Sequence, residues 1–507
     1  MNENLYALLA SRFPADLDAC AIETPGPQYW TWRDLDRASG RVANLLTALG
    51  LPAGSRIAVQ VDKSVEAVCL YLGTIRAGHV YLPLNSAYQQ AEIAYFVENA
   101  EPAVFVCAPS NRGWIEPLAR GGGAREVYTL GDDGTGTLLE AAAAMADAFE
   151  TVACRGTDLA SIIYTSGTTG RSKGAMLTHG NLASNAQVLD LYWRWRRGDV
   201  LLHALPIFHV HGLFVALHGA LLSGSKMIWL PRFDSRQALA LLPRATVFMG
   251  VPTMYVRLLD EPGFDASALG TMRLFISGSA PLLTDTFRQF EARTGQRILE
   301  RYGMSETVML TSNPYDGNRV AGTVGLPLPG VAVRIATDDG RLLGSGEGVG
   351  EIGGIEVRGP SVFSGYWRMP EKTREEFTPD GWFRTGDVGR WDANGYLTIV
   401  GRSKDLIITG GYNVYPKEIE SYLDDMDGVL ESAVVGVPHR DFGEAVTAVV
   451  VVRPGVTLDE AAVIAALRAR IAGFKVPKRV HQIDALPRNA MGKVQKAELR
   501  RRFASRD

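Results

Sequence analysis

Apolar and polar positions along the chain follow two alternating rhythms. Short runs such as "RIAVQVD", "VYLPLN" and "AVFVCA" read as strands, and the longer "SVEAVCLYLGTIRAG" and "AEIAYFVENA" between them read as helices. That alternation predicts parallel sheets flanked by helices, an α/β class. It resumes in "KMIWLP", "ATVFMGVP", "MRLFISGSAPL", the helical "LTDTFRQFEARTG" and "RILERYG". From about Val331 the texture changes to short strands and glycine turns, "VAVRIATDDGRLL", "GGIEVRG" and "GYLTIVGR", which predict a small antiparallel β subdomain. After "VGRSKD" the pattern resets into a small α+β unit with Pro416 at a helix start. The expected division is a large, multi-subdomain N-terminal domain, 1–402, and a small C-terminal domain, 403–507. The short charged junction from Arg402 to Asp405 is able to act as a hinge. The glycine- and alanine-rich segment from Gly121 to Ala148 reads as a surface loop plus a helix, and no repeat of fixed period is visible.

Composition narrows this picture. A chain of 507 residues exceeds the size at which one hydrophobic core stops growing, and 46% hydrophobic with 21% charged residues is ordinary for a globular protein. A net charge of -3 supplies no broad basic field, so no nucleic-acid partner is expected. Val200 to Ser225 carries no formal charge and is long enough to span a bilayer, but Pro206, three glycines and four histidines interrupt it. A buried strand, turn and helix is the better expectation, with no membrane span. Cys20, Cys69, Cys107 and Cys154 lie far apart, and the start "MNENLYALLASRF" lacks a basic n-region and a long apolar run; a reduced, cytoplasmic protein is expected.

One loop carries the first chemistry. "YTSGTTGRSKG", Tyr164 to Gly174, follows the apolar run "LASII" and packs glycines, hydroxyls and two cations together. Consecutive N–H groups in such a turn form an anion nest, and Lys173 adds charge, which points to phosphate. The loop departs from the P-loop consensus at two positions, with Ser172 in place of the second glycine and Gly174 in place of the last hydroxyl, which disfavours a P-loop kinase or GTPase.

"YTSGTTGRSKGAMLTHGNL", "ERYGMSET", "GYWRMPEKT", "GWFRTGDVG", "GRSKDLIITGGYNVYPKEIE" and "LPRNAMGKVQK" occur in an order and spacing that resemble the adenylate-forming superfamily of acyl-CoA synthetases, nonribosomal adenylation domains and luciferases. The resemblance covers nearly the whole chain. It implies an enzyme that joins a carboxylate to AMP from ATP and then passes the acyl group to coenzyme A, with Mg2+ as cofactor and a small domain that rotates between the two half-reactions. It further implies that Thr165, Ser166, Gly167, Thr168, Thr169, Gly170 and Lys173 hold the ATP phosphates. Tyr302 would stack on adenine, Thr307 contact the α-phosphate and Glu306 hold the metal. Gly278, Ser279, Ala280 and Glu300 would border the nucleotide, Asp387 would accept from the ribose hydroxyls, and Arg402 would assist there. Lys493 would bridge acyl carboxylate and α-phosphate as the catalytic lysine. Lys404 would be the hinge residue, and Gly410 and Gly411 would line the pantetheine tunnel. Lys496 and most of Arg500 to Arg502 read as solvated helix residues, and Arg273 as structural.

The acid is read from charge. By the same resemblance "FHVHG", "VPTMYVRLLD" and "ERYGMSET" border the acyl pocket and supply His209, Arg257 and Arg301, with Ser279, Met304 and Met309 nearby. A guanidinium in a pocket calls for an anion, and a second carboxylate on the substrate provides one. "HALPIFHVHGLF", "LFISGSAPL" and "GGYNVYPKEIES" resemble the malonate-activating members, so malonate, with methylmalonate tolerated, is the expected acid. A synthetase for another small, aromatic or medium-chain acid, a carrier-loading domain and a nonenzymatic nucleotide sensor remain open at this point.

Overall fold

The computed structural model describes residues 2–26, 29–165, 172–409, 412–439, 441–489 and 492–504. Two mainly parallel sheets form its body. One has six strands in the order Glu126–Thr129, Val104–Cys107, Arg56–Gln60, Val80–Pro83, Leu159–Thr165 and Lys173–Thr178. The other has nine, and its centre runs Leu299–Met304, Leu274–Ser277, Val247–Gly250, Val200–His203 and Lys226–Trp229.

The helix Val65–Arg76 shows why these sheets pack together. Ser64 caps it by accepting from the Ala67 N–H, and all of its residues but Glu66 are buried. Its lack of a polar face fits a helix enclosed within a core. It lies against helix Trp32–Ala48 so closely that a Cβ on Gly73 would stand 2.6 Å from Val42 Cβ and 2.8 Å from the Ser39 carbonyl oxygen. Glycine is required there by close approach.

The uncharged run from Val200 resolves as expected. Strand Val200–His203 is followed by a π-helical turn, His211–Leu217, continuing into the α-helix His218–Ser223, and every residue of both helical pieces is buried. No helix among the described residues is long and apolar enough to cross a membrane.

Two elements differ from expectation. The Gly121–Ala148 segment contains the strand Glu126–Thr129 besides its helix, Thr137–Ala143. Only four residues long and flanked by glycine, that strand offers too short an alternation to stand out. The strand before the glycine loop returns as an antiparallel partner, Thr165 opposite Lys173, so the loop joins a hairpin and the next helix begins only at His179. A P-loop feeds a helix directly, so the departure read from the consensus is also one of topology.

The antiparallel subdomain forms as read, a five-stranded sheet ordered Leu342–Leu343, Ala332–Ala336, Gly353–Arg358, Phe383–Trp391 and Leu397–Arg402. Strands from Ile407–Thr409 to Arg479–Gln482 make a further sheet and, among the described residues, pair only with one another. A short 3-10 turn, Ser403–Asp405, separates it from the preceding strand. Both parallel and antiparallel sheets are thus present, as the α/β reading with a small α+β unit requires.

Candidate active site

Strands of both mainly parallel sheets, among them Leu159–Thr165 and Leu299–Met304, border a cavity of about 500 Å3, where loops and the segment before the last helix converge. Ligand sites in open α/β sheets form beyond the carboxyl ends of strands. Its lining includes Thr165, Lys173, His209, Ser279, Arg301, Met304, Glu306, Met309, Arg402, Lys404 and Lys493, which are far apart in sequence.

Strand Leu299–Met304 supplies consecutive functional side chains on alternating faces. Arg301 is only 3% exposed, and its Nε and Nη2 meet no hydrogen-bond acceptor among the described residues. Burial pulls its pKa down to about 9, which leaves it charged at neutral pH. Gly278 makes room for it: a Cβ there would lie 2.4 Å from Arg301 Cζ. Beside it, Glu300 accepts from the Leu282 N–H at 3.1 Å, and burial raises its carboxyl to about 7. Tyr302 points elsewhere and donates its hydroxyl to Asp387 at 2.5 Å. Asp387 also receives Arg402 Nε at 2.8 Å, and Asp387 and Arg402 face each other across paired strands.

A second group surrounds Glu306. The carboxylate is buried, accepts from the Tyr366 hydroxyl at 3.0 Å and has its pKa raised, first of all by burial. Lys173 stands 4.2 Å above the same tyrosine ring and 3.3 Å from Glu376. The segment carrying Tyr366 is zipped onto the Lys173 strand: the Trp367 N–H donates to the Gly174 carbonyl at 2.8 Å, and the Met176 N–H to the Gly365 carbonyl at 3.0 Å.

Histidines form the third wall. His209 is neutral, its pKa lowered to about 4 by burial and then by Arg301 and Lys493. His211 lies 3.2 Å from the Ser279 hydroxyl, and Ser279 itself holds a left-handed backbone at φ +71°. That backbone is uncommon for a non-glycine residue. Lys493 reaches the cleft from the turn before helix Lys496–Phe503. The residue lines the cavity and is exposed, yet desolvation by the surrounding walls, then Arg402, lowers its pKa to about 8.

Several expected residues lie elsewhere. Arg257 does not reach the cavity: helix Pro252–Leu259 buries Tyr255, Leu258 and Leu259, which leaves Arg257 exposed on the outer face. Thr307 is fully buried behind the lining, its hydroxyl accepting from the Met304 N–H at 3.3 Å. Gly278, Ala280, Glu300, Tyr302 and Asp387 are also outside the lining proper. Lys496 is not solvated; it pairs with Glu420 at 2.5 Å, and Arg500 pairs with Asp405 at 2.6 Å. Arg273 is structural, bound through Nε to Asp199 at 2.8 Å. Ser166, Gly167, Thr168, Thr169, Gly170, Gly410 and Gly411 lie outside the described residues. Sequence reasoning passed over Tyr366, Glu376 and Asn489, all on the lining. Tyr366 sits in the quoted "GYWRMPEKT", but nothing in that string shows that it faces Glu306.

Comparison with known proteins agrees with this assembly. The model for AMP-binding enzymes matches residues 10–367, and that for the AMP-binding enzyme C-terminal domain matches residues 418–493. The chain is 37% identical over 502 residues to a malonate–CoA ligase of Arabidopsis thaliana, across 92% of this chain and 81% of that protein. It is 35% identical over 511 residues to a mitochondrial malonate–CoA ligase of Mus musculus, across 92% and 86%. The crystal structure of ATP-bound MatB from Rhodopseudomonas palustris is similar at a TM-score of 0.96 and 56% identity, across 100% of this chain and 99% of that one. Matched by family models over residues 10–367 and 418–493 and by a solved structure over its whole length, the chain belongs to the AMP-binding enzymes.

Proposed function

We propose that this protein is an ATP-dependent malonate–CoA ligase, an acid–thiol ligase that also accepts methylmalonate. One observation supports the choice of acid: the guanidinium of Arg301, a residue of the cavity lining, is buried, and its Nε and Nη2 have no acceptor among the described residues. A monocarboxylic acid would leave that charge unmatched, whereas the distal carboxylate of a diacid accepts from it in a bidentate arrangement. His209 and Ser279 complete the polar end, and Met304 and Met309 limit its depth.

In the first half-reaction a carboxylate oxygen of malonate attacks the α-phosphorus of ATP, a P–O bond forms, and the bond to pyrophosphate breaks. Lys493 offsets the charge that develops between acyl carboxylate and α-phosphate. Asp387, oriented by Tyr302 and Arg402, accepts from the ribose hydroxyls, with the Tyr302 ring against adenine and Gly278, Ala280 and Glu300 at its border. Lys173 meets the polyphosphate with Thr165 and the glycine loop, and Thr307 supports the α-phosphate from beneath. Glu306, a buried oxygen donor on the cavity wall, suits a hard divalent ion, and Mg2+ held there with ATP's own phosphate oxygens would offset the polyphosphate charge. In the second half-reaction the coenzyme A thiolate attacks the malonyl carbonyl carbon, the C–O bond to phosphate breaks, and AMP leaves. For this step the small domain, 403–507, turns about Lys404 and withdraws Lys493, and Gly410 and Gly411 border the thiol's approach. The free thiols Cys20, Cys69, Cys107 and Cys154 suit a reducing cytoplasm.

The test is pyrophosphate release with coenzyme A across a panel of acids. Malonate should lead, methylmalonate follow, and acetate, butyrate and benzoate trail by at least about a hundredfold, the scale set by an unpaired buried charge. A preference for any monocarboxylate overturns the assignment.

A further inference from the structure

Lys493 owes its place to a turn that is closed by its own residues and moored by others. The Asn489 N–H donates to the Lys493 carbonyl, the Lys493 N–H to Asn489 Oδ1, and the Gly492 N–H to the Asn489 carbonyl, each at 2.9 Å. These bonds fix the shape of the turn but do not attach it to anything. Attachment comes from Val494, which packs against the core of the adjoining sheet, and from Arg488. Its Nη1 donates to the Gly492 carbonyl at 2.5 Å, and its Nη2 pairs with Glu431 on strand Val429–His439. On the far side, Lys496 is held by Glu420, whose same oxygen accepts from the Val434 N–H at 2.9 Å.

We propose that Arg488, anchored by Glu431, is a positioning residue for the adenylation half-reaction: by holding the carbonyl immediately before Lys493 it sets where the lysine ammonium stands in the cleft. The inference rests on the reading of Lys493 as the catalytic lysine. A lysine side chain has four flexible carbons, so its electrostatic contribution depends on how firmly its backbone is fixed, and misplacement by about 1 Å is enough for a loss on the order of a hundredfold. Stability gives a weaker reason for the pair. Its side chains are 30% and 21% exposed, and partly exposed ion pairs contribute only about 0–1 kcal/mol.

The two half-reactions separate positioning from folding, because Lys493 serves only the first. Malonate-dependent exchange of pyrophosphate into ATP reports adenylation, and conversion of synthetic malonyl-AMP with coenzyme A reports thioester formation. Arg488→Ala should lower the exchange kcat about ten- to a hundredfold with KM for ATP and malonate near the parent value, and leave thioester formation within about twofold. Glu431→Gln should do the same more mildly. The double variant should be no worse than Arg488→Ala alone, since both changes remove one linkage. Arg488→Lys, able to reach only one of the two partners, should fall between parent and alanine. Equal loss of both half-reactions, or no loss of exchange in either single variant, overturns the proposal. Lys493→Ala is the control: if it retains exchange, the assignment of the lysine itself fails and the positioning role falls with it.

Discussion

Arg301 and Lys493 are both cations on the lining of one cavity, the first enclosed and the second exposed, with different consequences. Arg301 is enclosed and has unmet donors, so removing its charge without removing its volume isolates its role. Arg301→Met should reduce kcat/KM for malonate by about two to three orders of magnitude, from the 2–5 kcal/mol typical of a buried, hydrogen-bonded charge pair, while ATP affinity measured by calorimetry stays near the parent value. Lys493 titrates. With its pKa lowered to about 8, first of all by desolvation between the cleft walls, the ammonium that the proposed role in adenylation calls for is present below that pH and lost above it. A profile of kcat/KM for pyrophosphate exchange should therefore descend as pH rises through about 8, and a flat profile to pH 10 would contradict the role. The placement of both on one cavity was legible because each sits inside a long motif. Arg257 was misread because its neighbours in sequence resemble pocket residues while helix Pro252–Leu259 turns Tyr255, Leu258 and Leu259, and not Arg257, inward. Lys496 was misread for the opposite reason: its partner Glu420 lies 76 residues away, and no local pattern announces such a pairing.

Elements were easier to read than contacts between them. The buried helix Val65–Arg76, the antiparallel subdomain and the interrupted apolar run after Val200 follow from period and composition alone. The strand Glu126–Thr129 and the hairpin across Thr165 and Lys173 do not, because pairing partners decide them. Gly73 shows how tightly that buried helix is seated. Gly73→Val would place its Cβ against Val42 and the Ser39 carbonyl, and we expect a loss of about 1–3 kcal/mol from overpacking, seen as a lower urea midpoint. A midpoint equal to the parent's would mean that the two helices separate freely.

Over the whole molecule, histidine burial sets a limit on the acid side. Burial lowers His179 and His209 to about 4 and His218 to about 3, and holds His203 and His211 well below the usual imidazole range. In the unfolded chain these rings take up protons near pH 6.5, so the stability gained by keeping them neutral is complete above that pH and is lost as pH falls from about 6.5 toward 4. Glu300 and Asp424, raised to about 7 and about 6, together with Asp190 and Glu306, also raised, work in the opposite sense but are fewer. Melting temperature should fall steadily between pH 7 and pH 5; a constant value across that range would show that these imidazoles are not held neutral. The same scale brings out a property of strand Leu299–Met304, on which Arg301 and Tyr302 are neighbours with opposite outlooks. On the proposed reading one meets the acid and the other holds Asp387, so selectivity for the acid is separable from binding of the nucleotide. Divergence toward a new acid, whether by natural drift or by an engineer's hand, would on that reading begin with the replacement of this cation, while Tyr302, Asp387 and Arg402 keep their bonds to one another.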